Sequence, residues 1–129
     1  MLTDAAVTTI LPIVDAERAR AFYRDALGLS YLGANAEGQE LFRLGQGGVL
    51  ALMPKPDGQQ AAHTAMSFEV ADITSQIRDL TARGVTFADY DLPGLTTVDH
   101  VCVLGSEKAA WFTDTEGNIL CLHEVLAAG

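Results

Sequence analysis

The chain has 129 residues, 49% of them hydrophobic and 19% charged, with 8 Lys+Arg against 17 Asp+Glu and a formal net charge of −9. That length and composition suit one compact globular domain, and exclude a disordered chain or one that needs a disulfide or structural metal to fold. The acid excess argues against phosphate-neutralising nucleic-acid binding and against docking on anionic membranes. It permits a cationic ligand, although solubility alone accounts for it.

Cys102 and Cys121 are too few and too far apart for a disulfide scaffold or a zinc knuckle. The opening Met1-Leu2-Thr3-Asp4 lacks the basic region of a signal peptide, and Asp15 and Glu17 interrupt any apolar run. No stretch approaches the roughly 20 apolar residues of a membrane span. A cytoplasmic protein with reduced thiols is expected.

In chain order, Val7 to Val14 reads as a strand. Asp15 to Gly28 then reads as a helix, because Ala16, Ala19, Phe22, Tyr23, Ala26 and Leu27 form one apolar stripe. Asp15 caps its start and Gly28 supplies a left-handed stop. Leu29–Leu32, Glu40–Leu44 and Val49–Met53 are short strand-like runs separated by Asn35/Gly38 and by Gly45–Gly48. Strands flank that glycine-rich stretch on both sides, so it is a turn rather than a phosphate cradle. Lys55 to Gln60 breaks the pattern and reads as a linker.

The second half repeats the plan with a strand over Thr64 to Val70 and a helix from Asp72 to about Gly84, Ile73, Ile77 and Leu80 facing inward. Strand-like runs follow at Val85–Phe87, His100–Leu104, Ala109–Thr113 and Asn118–Val125, the last two joined by a tight turn over Asp114–Asn118. Two βαβββ modules, about 1–56 and 61–129, within one α+β domain are the economical organisation. Each sheet would carry its helix on one face and curl its other face around a ligand. The mixed segment 88–100, with Tyr90, three aspartates, Pro93-Gly94 and His100, reads as a lid or a solvated loop.

The run Val14 to Leu29, with Phe22-Tyr23 ahead of Leu27-Gly28-Leu29, resembles the opening helix of the vicinal oxygen chelate superfamily. That group includes glyoxalase I, extradiol dioxygenases and bleomycin-type resistance proteins. Ala110 to Asn118 resembles that family's terminal hairpin, except that Thr115 stands where proline is usual. The resemblance implies a cup-like mixed sheet with helices outside, and commonly a homodimer.

It also implies where metal ligands would lie, on the first and last strand of each half, at Thr8, Ala51, Ala65 and Cys121. Two alanines and a threonine do not make a site for a divalent ion, which needs several imidazole, carboxylate or thiolate donors. Setting Ala65 beside Cys121 puts His123 beside Ser67 and leaves His63 and His123 about 13 Å out of step along the strands. No metal and no cofactor is therefore expected.

The expected function is metal-free binding of a flat or amphipathic small molecule. Thr8, Met53, His63, Ala65, Ser67, Cys121 and His123 would line the cup and Trp111 would offer a ring for stacking, with Tyr90 and His100 closing over it. The alternative is an enzyme of the family, a lyase, isomerase or dioxygenase, working through a non-standard metal site or through one of the three histidines. A third reading makes the cup an interaction surface or sensor. No carboxylate falls among the cup positions, and Glu69 would lie towards the sheet edge, so any steering of a cation would act at the rim.

Overall fold

The computed structural model describes residues 1–55 and 59–126. The centre of the expected linker, Pro56 to Gly58, lies outside the described residues. The chain divides into two compact units: Met1–Gln60 with Thr115–Asn118, and Ala61–Asp114 with Ile119–Gly129. Each is an open four-stranded mixed sheet with one helix, so the class is α+β.

In the first unit β1 (Thr8–Ile13), β2 (Tyr31–Ala34), β3 (Glu40–Arg43) and β4 (Val49–Pro54) are ordered β1-β4-β3-β2, with β1 parallel to β4. Period-two alternation sorts their side chains. Leu11, Ile13, Phe42, Leu50 and Leu52 are buried on one face with Ala19 and Tyr23 of the helix, and the Tyr23 and Phe42 rings lie 5.9 Å apart. Thr8, Ile10, Ala51 and Met53 take the opposite parity, and Ile10 remains 52% exposed.

Helix α1 (Ala16–Ala21) is capped by the Asp15 carboxylate, which accepts from the Arg18 N–H. It continues as a π-turn over Phe22–Ala26 before Gly28 turns the chain at a φ of 73°. The expected single helix from 15 to 28 is therefore α only in its first half. The wider π-turn leaves Tyr23 fully buried while Phe22 stays half-exposed.

In the second unit β5 (Thr64–Glu69), β8 (Cys102–Leu104), β9 (Glu107–Thr113) and β10 (Ile119–Val125) are ordered β5-β10-β9-β8, with β5 parallel to β10. Helix α2 (Ile73–Ala82) buries Ile73, Ile77 and Leu80, and Phe112, Leu120 and Leu122 are buried in the same unit. The Asp72 carboxylate caps the helix through the Ser75 N–H, and Glu124 accepts from the Ile73 N–H. Both satisfy donors that a helix start leaves free.

Three expectations about the second unit change. Val85–Phe87 contributes a single bridge, Phe87 to Phe112, rather than a strand. Segment 88–100 contains the two-residue strands β6 (Asp91–Leu92) and β7 (Leu95–Thr96) around Pro93-Gly94. A second tight turn follows, in which Val98 and Val101 exchange backbone hydrogen bonds and Asp99 and His100 both have positive φ, at 51° and 70°. Asp and His tolerate that region better than most residues, which is how a turn forms there without glycine.

The register of β5 on β10 is the third change. Cys121 pairs with Ser67 and His123 with Glu69, two residues from the expected pairing of Cys121 with Ala65. Ile119 pairs with Thr64 and Leu120 with Met66, so Ala65 is the extra residue of a β-bulge. In the first unit Thr8 likewise pairs with Val49 and Ala51 with Ile10.

Candidate functional site

On β10 the buried Leu120 and Leu122 face the core, so Ile119, Cys121 and His123 take the other face. Trp111 lies directly opposite Cys121 on β9, and Ser67 lies beside it on β5. The bulge at Ala65 brings Thr64 level with Ile119, and the Trp111 indole N–H donates to the Thr64 hydroxyl at 3.1 Å. Tyr90 stands edge-on to Trp111, with ring centroids 5.6 Å apart and planes at 87°. Ala62, His63, Thr64, Tyr90, Leu95, Trp111 and Ile119 together line a cleft of about 330 Å³.

His63 is exposed at that cleft, with Nδ1 2.9 Å from the carbonyl of Thr64. Further along the same face the Ser67 hydroxyl lies 2.6 Å from His123 Nδ1, and His123 Nε2 lies 3.6 Å from a Glu69 carboxylate oxygen. The expected register sets His123 beside Ser67. The register instead sets it beside Glu69, and the imidazole reaches diagonally to the serine. Cys121 is a buried neighbour whose S–H points at the Leu122 carbonyl, 3.2 Å away. Burial pushes its thiol pKa up, and a hydrogen bond with Ser67 opposes that only in part. A thiol held protonated is a poor metal ligand and a poor nucleophile at neutral pH.

His100 is not with the other site residues. Its Nδ1 lies 2.9 Å from Asp89 within the 88–100 segment, and its ring lies 6.1 Å from that of Phe87 just before it. Of the two residues expected to close over a ligand, Tyr90 lines the cleft, while His100 tethers the loop to itself. Thr8 and Met53 share the open face of the first sheet by strand parity. A larger cleft of about 540 Å³, lined by Thr74, Ile77, Val98, Val103 and Lys108 among others, contains none of the expected site residues.

The metal positions implied by the resemblance hold a hydroxyl, two methyl groups and a protonated thiol, and these do not fit a divalent ion. Among the described residues no group of three His, Cys, Asp or Glu side chains is placed to hold a metal. A dense charge cluster lies elsewhere, in the first unit. Glu116 accepts from the backbone N–H groups of Val14 and Asp15 at 2.9 and 2.8 Å, from the Arg18 guanidinium at 2.8 Å and from the Thr115 hydroxyl at 2.7 Å. Burial alone would raise its pKa, but the Arg18, Asp15, Thr115 and Val14 donors outweigh burial and bring it down to about 2. The threonine that departs from the family's usual proline thus adds a donor to this carboxylate. In the sequence Glu116 stands only in a turn, and its position inside the Asp114–Asn118 motif is the sole signal of this role.

Two βαβββ units, each with a helix on one face of a mixed sheet and the other face left uncovered by its own helix, define the class of protein. The chain belongs to the Glyoxalase/Bleomycin resistance protein/Dioxygenase superfamily, whose family model matches residues 6–122. No curated protein matches the chain. Among solved structures, a member of the same superfamily from Sphaerobacter thermophilus is 23% identical over 96% of this chain and 99% of its own, with a TM-score of 0.75. TnmS3, an antibiotic-binding protein from Streptomyces, is 20% identical over 97% and 98%, with a TM-score of 0.69. Lactoylglutathione lyase from Agrobacterium tumefaciens is 19% identical over 93% and 92%, also with a TM-score of 0.69. At such identities the likeness is one of fold, and binders and enzymes share it. No helix among the described residues is long and apolar enough to cross a membrane.

Proposed function

We propose that the chain is a metal-independent small-molecule-binding protein that holds a flat aromatic or amphipathic ligand on the open face of its second sheet. The observation that carries this reading is the cleft at Trp111 and Tyr90. Two rings held edge to face leave indole and phenol surface for a third ring to stack on. His63 at its lining and Ser67 and His123 along the same face supply polar contacts, and Thr8 and Met53 offer a separate surface on the first sheet. An antibiotic-binding relative of the same fold supports ligand capture as a use of this scaffold. The protein acts in this reading as a cytoplasmic homodimer.

The test is a thermal-shift and calorimetric screen of flat aromatic compounds, cationic, neutral and anionic. A ligand at 100 times its Kd stabilises by about 2.7 kcal/mol. Binding that Trp111→Ala abolishes supports the reading; binding indifferent to that change overturns the placement. Metal analysis of untagged protein addresses the enzyme alternative, because stoichiometric metal lost in Cys121→Ala would replace this proposal with a metal-dependent one. Light scattering at micromolar concentration tests the dimer.

A further inference from the structure

The polar line beside the cleft has the parts of an activated nucleophile. Ser67 is exposed, and its hydroxyl lies 2.6 Å from His123 Nδ1. The opposite ring nitrogen, Nε2, faces the Glu69 carboxylate at 3.6 Å, too long for a hydrogen bond but within ion-pair range. That carboxylate favours the tautomer with the proton on Nε2, which leaves the Nδ1 lone pair to accept the Ser67 O–H. Nucleophile, base and orienting acid thus follow one another across two adjacent parallel strands, with His123 paired directly to Glu69. Rigid strands suit such a set better than loops do.

We propose that Ser67 is an acyl-accepting nucleophile, with His123 as its general base and Glu69 as a positioning residue, acting on activated esters that carry an aromatic group. Ser67 lies level with Cys121, two residues along β10 from Ile119 at the cleft. The separation is about 7 Å, so a ring seated against Trp111 leaves a carboxyl substituent within reach of the hydroxyl. In the first step the Ser67 oxygen bonds to the carbonyl carbon while its proton passes to His123 Nδ1. The carbon–oxygen bond to the leaving group then breaks, and Nδ1 returns that proton to the departing alkoxide or phenoxide. Water repeats the two transfers on the acyl-serine, releasing the carboxylic acid and restoring the serine. The seating of the ring rests on the binding reading above; the acylation step does not.

The experiment incubates the full chain with p-nitrophenyl benzoate, follows nitrophenolate release, and maps the benzoyl adduct by peptide mass. The expected result is one benzoyl group on Ser67, absent in Ser67→Ala, with melting temperature unchanged. His123→Gln should slow acylation at least about 100-fold, and added imidazole should partly restore the rate in His123→Gly. Glu69→Gln should slow it by about ten-fold without blocking the adduct. No adduct, an adduct on another residue, or full acylation in His123→Gln overturns the proposal. Trp111→Ala separates the two readings. Lost benzoate binding with no acylation of the parent sinks the nucleophile alone, whereas acylation equally fast in Trp111→Ala keeps the nucleophile and removes the cleft.

Discussion

The two units follow one plan and use it differently. Each runs strand, helix, strands, each starts its helix with an aspartate cap, and each brings its first and last strands together in parallel. In the first unit, charge is spent on holding the fold. Glu116 is bound by Arg18, and Glu40 by Arg20 and the Tyr31 hydroxyl, both carboxylates being buried. On its open face Thr8, Ile10, Leu41, Ala51 and Met53 carry no titratable group, and Arg43, paired with Val49, adds a guanidinium rather than an imidazole or carboxylate. In the second unit, the open face carries the indole, the serine, two histidines and Glu69. A repeated fold thus lets one copy be committed to stability while the other presents polar chemistry, since the parity of each strand is fixed but its residue types are not.

The largest expected break in that comparison is Glu116→Ala. It removes the acceptor from two backbone N–H groups and a guanidinium, and should cost on the order of 3 kcal/mol in a denaturation experiment. A loss below about 0.5 kcal/mol would end the claim that this carboxylate secures the first unit. The same group predicts an acid transition. Its pKa is about 2 when folded against an ordinary 4.5, so its stabilisation is fully present above 4.5 and lost as pH falls from there towards 2. The parent should therefore lose stability across that window more steeply than Glu116→Gln, as followed by circular dichroism.

Trp111→Ala sharpens the other side. Ligand affinity should fall about ten-fold or more, equal to roughly 1.4 kcal/mol, as calorimetry would read it. Asp72→Ala, which removes the cap of α2, should cost about 1 kcal/mol of stability and leave affinity unchanged. The smallest signal is at Cys121, whose burial and raised pKa predict almost no alkylation by iodoacetamide at neutral pH until the chain unfolds. Fast native-state labelling at Cys121, identified by peptide mass, would show an open thiol instead.

The amino-acid pattern alone determined the two modules, the helix starts at Asp15 and Asp72, and most strands to within two residues. Apolar periodicity and capping are local, and local signals survive without a third dimension. The family resemblance, not the pattern, marked Thr8, Ala51, Ala65 and Cys121 as metal positions, and their donor chemistry was legible there because it belongs to the residue itself. Tertiary structure decided everything that depends on register. One extra residue at Ala65 shifts β5 against β10, which sets His123 beside Glu69 and brings Thr64 under the Trp111 indole. It also separated Tyr90, at the cleft, from His100, held by Asp89, although only nine residues lie between them. Pairing between distant strands is set by the whole sheet and its bulges, and no local periodicity encodes it.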